Sequence, residues 1–257
     1  MNKDQPTNSA LGRGDRLLLY ATVATTGAAV MMLELLGTRI IGPFYGVSLY
    51  VWSSLISVAL IALSLGYYLG GVVADRETAF RLSYAIALAG LSAVAIPFLS
   101  RPVMLLTSDL GMRGGAFASA LLLFTVPLTF LGMVGPQVIK MATLRREGVG
   151  MATGSVFAIS TVGSVVGTLL LGFYLLPELG SRAILYGVSA VLCLLAAIVA
   201  LYERRMGLDT LGKVVVIGLV TGVGLWLKVD EAPLASKDYR IVHEAESHYG
   251  WVRVIDD

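Results

Sequence analysis

Hydrophobic and polar positions along this chain segregate into long blocks. They do not alternate at helix or strand period. Seven apolar stretches run approximately over Leu17–Ile41, Val51–Val73, Leu82–Leu99, Ala116–Val138, Gly154–Leu176, Ala183–Tyr202 and Val214–Leu227. A helix packed on a globular core shows a polar face every few residues. The segment Leu55–Ala74 shows almost none, interrupted only by serines, glycines and the Tyr67-Tyr68 pair. A helix that crosses a bilayer needs roughly 20 predominantly apolar residues, and helices are the default spanning element because backbone groups in lipid must pair internally. The pattern predicts an all-α polytopic membrane protein of about seven transmembrane helices with a short β-hairpin-like C-terminal tail. The last stretch is the weakest, with 14 residues between Lys213 and Lys228, both of which can snorkel toward the interfaces.

The polar segment 1–16 resembles the n-region of a signal peptide. The apolar run behind it, however, is too long for an h-region, carries Glu34 and has no A-x-A-like cleavage site. It reads as a retained first span. Residues 17–227 form the expected helical domain. The tail, 228–257, begins with a linker around Ala232-Pro233 and Ser236-Lys237-Asp238, then turns polar and β-rich, with Trp251–Ile255 alternating loosely like a strand.

Composition agrees with this reading. The chain is 56% hydrophobic and 14% charged, against about 25% charged in a typical soluble domain, and its mean hydropathy is +0.81. The net charge of +2 is no signature of nucleic-acid binding, because the basic residues lie in short loops and not on one face. Their distribution predicts orientation. Lys3, Arg13 and Arg16 precede the first span, Arg76 and Arg81 follow the second, Lys140, Arg145 and Arg146 the fourth, and Arg204, Arg205 and Lys213 the sixth. The alternate loops hold only Arg101, Arg113 and Arg182. The N-terminus is therefore expected in the cytoplasm of a bacterial inner-membrane protein. The tail is expected outside if the seventh stretch spans, and inside if that stretch is re-entrant. The lone Cys193 lies among leucines and alanines and reads as an inert buried thiol.

Few residues carry chemistry. Glu34 and Arg39 lie inside the first span, where ionisable groups are costly. Five residues apart, they stand about 140° around a helix and do not stack. The functional reading is a buried carboxylate poised to handle a cation or proton. The plainer reading is a structural ion pair or helix-to-helix hydrogen bond, with Arg39 snorkelling. Gly66 with Gly70, and Gly163 with Gly167, have the small-xxx-small spacing that lets helix backbones approach. Asp75-Arg76 ends the second span within Gly71-Val72-Val73-Ala74-Asp75-Arg76. This segment resembles the G-x-x-x-D-R loop of major facilitator transporters, and its expected role is a helix-end cap and topology anchor. Pro127 and Pro136, with Gly132 and Gly135, are expected to kink the fourth span. His243 and His248 have no ligand-spaced cysteines, so no metal site and no cofactor are expected.

Several segments together resemble one family. They are Met32–Arg39 followed by Gly46–Trp52, then Leu65–Gly71, Gly132–Pro136, Ala158–Gly167, and Gly172-Phe173 leading to Leu176–Gly180. In this order they look like the membrane domain of bacterial membrane-bound, or fused, spermidine synthase-like proteins. In the tail, Glu246-Ser247-His248-Tyr249-Gly250 before Val252–Asp256 is similar to the hairpin that opens a polyamine aminopropyltransferase. The resemblance implies a Rossmann-like domain that transfers an aminopropyl group from decarboxylated S-adenosylmethionine to putrescine. The chain stops at Asp257, within that hairpin, so no glycine-rich nucleotide loop and no catalytic aspartates are present to carry over. The expectation is a membrane module that anchors or partners an aminopropyltransferase-like domain held elsewhere, with Tyr249 at the entrance of a shared pocket. Alternatives are a small carrier for a cation or polyamine, using Glu34 and the kinked fourth span, and a structural subunit of a membrane complex or homo-oligomer. The bilayer is the one partner common to all three.

Overall fold

The computed structural model describes residues 13–76, 80–143 and 148–205. Beyond these it describes helical pieces at 214–215, 217–218 and 221–222, and the backbone of 240–247 and 250–256. Long apolar sequences with good helix formers fold here into α1 (Arg13–Tyr45), α2 (Leu49–Asp75) and α3 (Leu82–Thr107). A 3-10 turn at Ser108–Leu110 leads into α4 (Gly111–Gly132) and α5 (Val134–Thr143). The chain continues through α6 (Val149–Leu170), a π-helical segment Leu171–Leu175, the short α7 (Leu176–Glu178) and α8 (Ser181–Arg205). This is an all-α membrane protein by architecture: five continuous helical stretches are long and apolar enough to cross a bilayer. Large apolar side chains face outward along α2 (Ile56, Leu60, Ile61, Leu65) and α6 (Val162, Val165, Val166, Leu169). So broad an apolar exterior suits lipid and not water.

The expected seven separate spans are not borne out. Five continuous helical stretches are long enough to span, and one of them, the 62 residues of Leu82–Thr143, takes in both the third and the fourth apolar stretches as two helices folded back on each other. Arg101 and Pro102 look like loop residues in sequence, yet α3 passes through Pro97 and Pro102 to Thr107. The reversal comes at Ser108–Gly111, where Gly111 adopts φ +69°, a conformation open to glycine at no steric cost. Phe80 ahead of α3 stacks on Phe130 near the end of α4, with ring centroids 6.5 Å apart, so the two helices run antiparallel. Of Val214–Leu227, six residues are described. They are helical, with Val214 and Thr221 buried, and the rest of that stretch lies outside the described residues. In the tail, β1 (Arg240–Ser247) and β2 (Gly250–Asp256) pair as an antiparallel ladder with an irregularity at Ile241/His243. A lone two-stranded ladder is marginal in water and does not by itself support the expected start of a soluble domain.

Two parallel helix pairs hold the bundle together. A Cβ on Gly163 of α6 would run into the Ala24 carbonyl of α1, and one on Gly167 would lie 2.7 Å from the Ala28 Cβ. A Cβ on Gly66 of α2 would strike the Thr129 carbonyl of α4, and one on Gly70 would lie 2.7 Å from the Met133 Cα. In both pairs residue numbers rise together, so α1 runs parallel to α6 and α2 parallel to α4. Ser164 donates to the Gly27 carbonyl at 3.0 Å and Thr129 to the Ala62 carbonyl at 3.2 Å, adding a hydrogen bond to each seam. The third contact is antiparallel, with Gly90 of α3 lying on Ser189 and Leu192 of α8.

Candidate functional site

Glu34 sits in the last third of α1, half-buried, with no hydrogen-bond or ion-pair partner among the described residues. Arg39, also half-buried, follows it by a turn and a half. On a helical wheel Glu34 falls about 60° from Gly37, between Ile41 and Tyr45. Those neighbours define its direction. A Cβ on Gly37 would meet Leu55 of α2 and Phe124 of α4, and Tyr45 packs over Gly115 of α4. Gly27, which falls about 20° from Glu34 on the same wheel, lies against Ser160 of α6, so Glu34 stands on the side of α1 between its contacts with α4 and α6.

The fourth span does break, but not at both prolines. α4 passes through the buried Pro127 without interruption and ends at Gly132. Pro136 has no N–H to give the Gly132 carbonyl, and the chain slips at Met133 before α5 resumes at Val134. The Met133 N–H still reaches the Thr129 carbonyl at 3.1 Å. Gly135 has open space around it, whereas Gly132 lies against Leu63 and Gly66. The packing glycine and the kink thus share one place on α4.

Asp75 and Arg76 separate in role. Arg76 ends α2 in extended geometry, its N–H on the Val72 carbonyl at 3.1 Å. Asp75 pairs with Lys140 of α5 at 2.9 Å, both side chains well exposed. Tyr249 and His248 lie outside the described residues, so nothing places them near a pocket. Among the described residues no group of three His, Cys, Asp or Glu forms a metal-binding cluster.

Sequence reasoning passed over three groups. Glu203 of α8 is 2% exposed and accepts from both the hydroxyl and the backbone N–H of Ser83 in the first turn of α3. Tyr45, Thr107 and Ser119 form a buried hydroxyl chain at the opposite end of the bundle, with 2.7 Å links. Beside it a cavity of about 360 Å³ is lined by Phe44, Met104, Ser108 and Met112. Arg113 donates to the Tyr50 hydroxyl at 2.9 Å and stands 4.6 Å over the same ring. Each links helices far apart in sequence, and no local pattern marks such a pairing in advance. Compared with protein-family models, curated proteins and solved structures, the chain matches none.

Proposed function

We propose that this chain is the integral membrane module of a spermidine synthase-like protein, holding an aminopropyltransferase-like domain at the membrane. On this reading the N-terminus is cytoplasmic in a bacterial inner membrane, Val214–Leu227 makes a seventh span, and the β1–β2 ladder opens the soluble domain. The observation that supports it is where the resembling segments lie. Leu65–Gly71 packs on Gly132-Met133, and Ala158–Gly167 packs on α1 through Gly163 and Gly167. The residues that carry the likeness are thus the ones that build the bundle, as expected for kinship in a fold. The partner is a soluble aminopropyltransferase-like polypeptide or another subunit of a membrane complex, including a second copy of this chain. A strand pair with open edges is suited to docking on a partner sheet. The test is tail topology, by reporter fusion or cysteine labelling just after Asp257. A cytoplasmic tail keeps cytosolic aminopropyl transfer in play and removes the seventh span. An external tail overturns cytosolic spermidine synthesis for this module.

One observation favours a second reading, a carrier for a cation. Glu34 is a carboxylate deep in an apolar helix with no partner among the described residues, and intramembrane acids of this kind mark ion and substrate pathways. Uptake of labelled cations into liposomes holding only this chain tests it.

A further inference from the structure

Two turns at one end of the bundle close on a common space. The end of α1 brings Phe44 and Gly46, and the reversal between α3 and α4 brings Met104, Ser108, Gly111 and Met112, around one cavity of about 360 Å³. That volume falls at the small end of the range for ligand sites, about 300–1,000 Å³. Among the described residues, the two glycines in left-handed conformation are Gly46 at φ +77° and Gly111 at φ +69°. Both stand in the wall of this cavity. A side chain at either position would be strained, and glycine also lets backbone come close to a bound molecule.

Helix length sets the depth of the cavity. Arg81 caps the start of α3, and Arg101 lies near its far end. At about 1.5 Å per residue the two arginines stand about 30 Å apart, the thickness of the hydrocarbon. Ser108, Gly111 and Met112 therefore lie past the hydrocarbon, at the end opposite Asp75–Lys140 and Glu203–Ser83. Tyr50 and Trp52, partly exposed at the start of α2, mark the aromatic belt at this end. Arg113 of α4 bonds Tyr50 there. The cavity is thus reached from the polar side of the membrane and not from the lipid tails. On the orientation proposed above, that side is outside the cytoplasm.

The lining sets the chemistry. Met104 is 1% exposed and deepest, whereas Phe44 and Met112 remain well exposed at the rim. Tyr45, which completes the lining, is held in place by its hydroxyl bond to Thr107 and by packing over Gly115. Methionines adapt to varied shapes and make favourable contacts with aromatic rings, and the two rings offer edge and face contacts to a third. The Ser108 hydroxyl donates its proton to the Leu105 carbonyl at 2.8 Å, so toward the cavity it can only accept. No lining residue is charged, so nothing there offsets the burial of a charge. We propose that this cavity binds a small neutral molecule with an aryl body and one hydrogen-bond donor, which Ser108 accepts. The site uses neither Glu34 nor the tail, so it stands apart from both readings of function given above.

The experiment is fluorine NMR of para-fluorophenol with the whole chain in lipid nanodiscs, the signal from protein-free discs being subtracted to remove partition into lipid. Saturable binding is expected. Para-fluoroanisole, which has no proton to donate, is expected to bind about threefold or more weakly, the loss of one hydrogen bond. Ser108→Ala is expected to abolish that difference between phenol and anisole. Ser108→Phe, which fills the cavity, is expected to remove saturable binding of both. Para-fluorobenzoate, ionised at neutral pH, is expected not to saturate. No saturable binding beyond protein-free discs overturns the site, as does full binding by a Ser108→Phe chain that unfolds at the temperature of the parent. A phenol–anisole difference that survives Ser108→Ala, or saturation by para-fluorobenzoate equal to that by the phenol, overturns the ligand class. If Ser108→Phe fails to fold, the Ser108→Ala comparison decides alone.

Discussion

Glu203, near the end of α8, caps the start of α3 by accepting from the Ser83 hydroxyl and, at 3.3 Å, from the Ser83 backbone N–H. The first N–H groups of a helix have no partner within it and form its positive end. Here a second helix supplies both the acceptor and the negative charge, in a place closed to water. Glu203→Ala is expected to destabilise the chain by about 2–3 kcal/mol, since it removes a hydrogen bond to a charged group and leaves a buried donor unmet. Glu203→Gln, which keeps an acceptor, is expected to cost about half as much. Thermal unfolding in detergent checks both. A Glu203→Ala variant as stable as the parent sinks the claim.

The glycine seams make a sharper prediction, because the glycines differ in their surroundings. Gly163 and Gly66 each face a carbonyl of the neighbouring helix, whereas Gly71, next to Gly70, has open space around it. Gly163→Ala and Gly66→Ala are expected to cost about 1–3 kcal/mol each through overpacking. Gly71→Ala is expected to be neutral or to stabilise by up to about 1 kcal/mol through helix propensity. Equal effects at Gly66 and Gly71 count against the close approach of α2 and α4.

The apolar blocks were legible because bilayer thickness acts on the local sequence, so α1, α2, α6 and α8 stand close to their expected places. The glycine spacings were legible as packing devices, but spacing names no partner, and that Gly163 meets α1 while Gly66 meets α4 is a property of the fold. The ends of helices were read least well. Ser100-Arg101-Pro102 has the composition of a loop, yet α3 continues for another turn and a half, since helix beyond the hydrocarbon needs no apolar run. Glu203 stands in Leu201-Tyr202-Glu203-Arg204-Arg205, where two arginines mark a membrane edge and hide a buried acid. Glu34 was found because a charge in an apolar run is conspicuous.

Asp75 and Lys140 join α2 to α5 at one end of the bundle, with side chains 77% and 40% exposed. Exposed pairs contribute little, because water already solvates both charges. A double-mutant cycle with Asp75→Asn and Lys140→Gln is expected to give a coupling of about 0.2–1 kcal/mol, shrinking as salt is raised. A coupling above about 2 kcal/mol, insensitive to salt, would mean that the bilayer or another chain shields the pair.

At the other end, Tyr45 occupies the space that a side chain at position 115 would need. A Cβ on Gly115 would lie 2.7 Å from the Tyr45 hydroxyl oxygen. The Thr107 hydroxyl lies 2.9 Å from the Val103 carbonyl and 2.7 Å from the hydroxyls of both Tyr45 and Ser119, so the three side chains form one buried hydrogen-bonded chain. Tyr45→Phe removes one donor and is expected to cost about 1 kcal/mol. Gly115→Ala forces the ring aside and is expected to cost about 1–3 kcal/mol. The two positions are in direct contact, so their effects are not expected to add. In a Tyr45→Ala background the ring is gone, and Gly115→Ala is expected to become nearly neutral there. Measured by thermal unfolding, an unchanged cost for Gly115→Ala in that background would show that something other than the Tyr45 ring excludes a side chain from position 115.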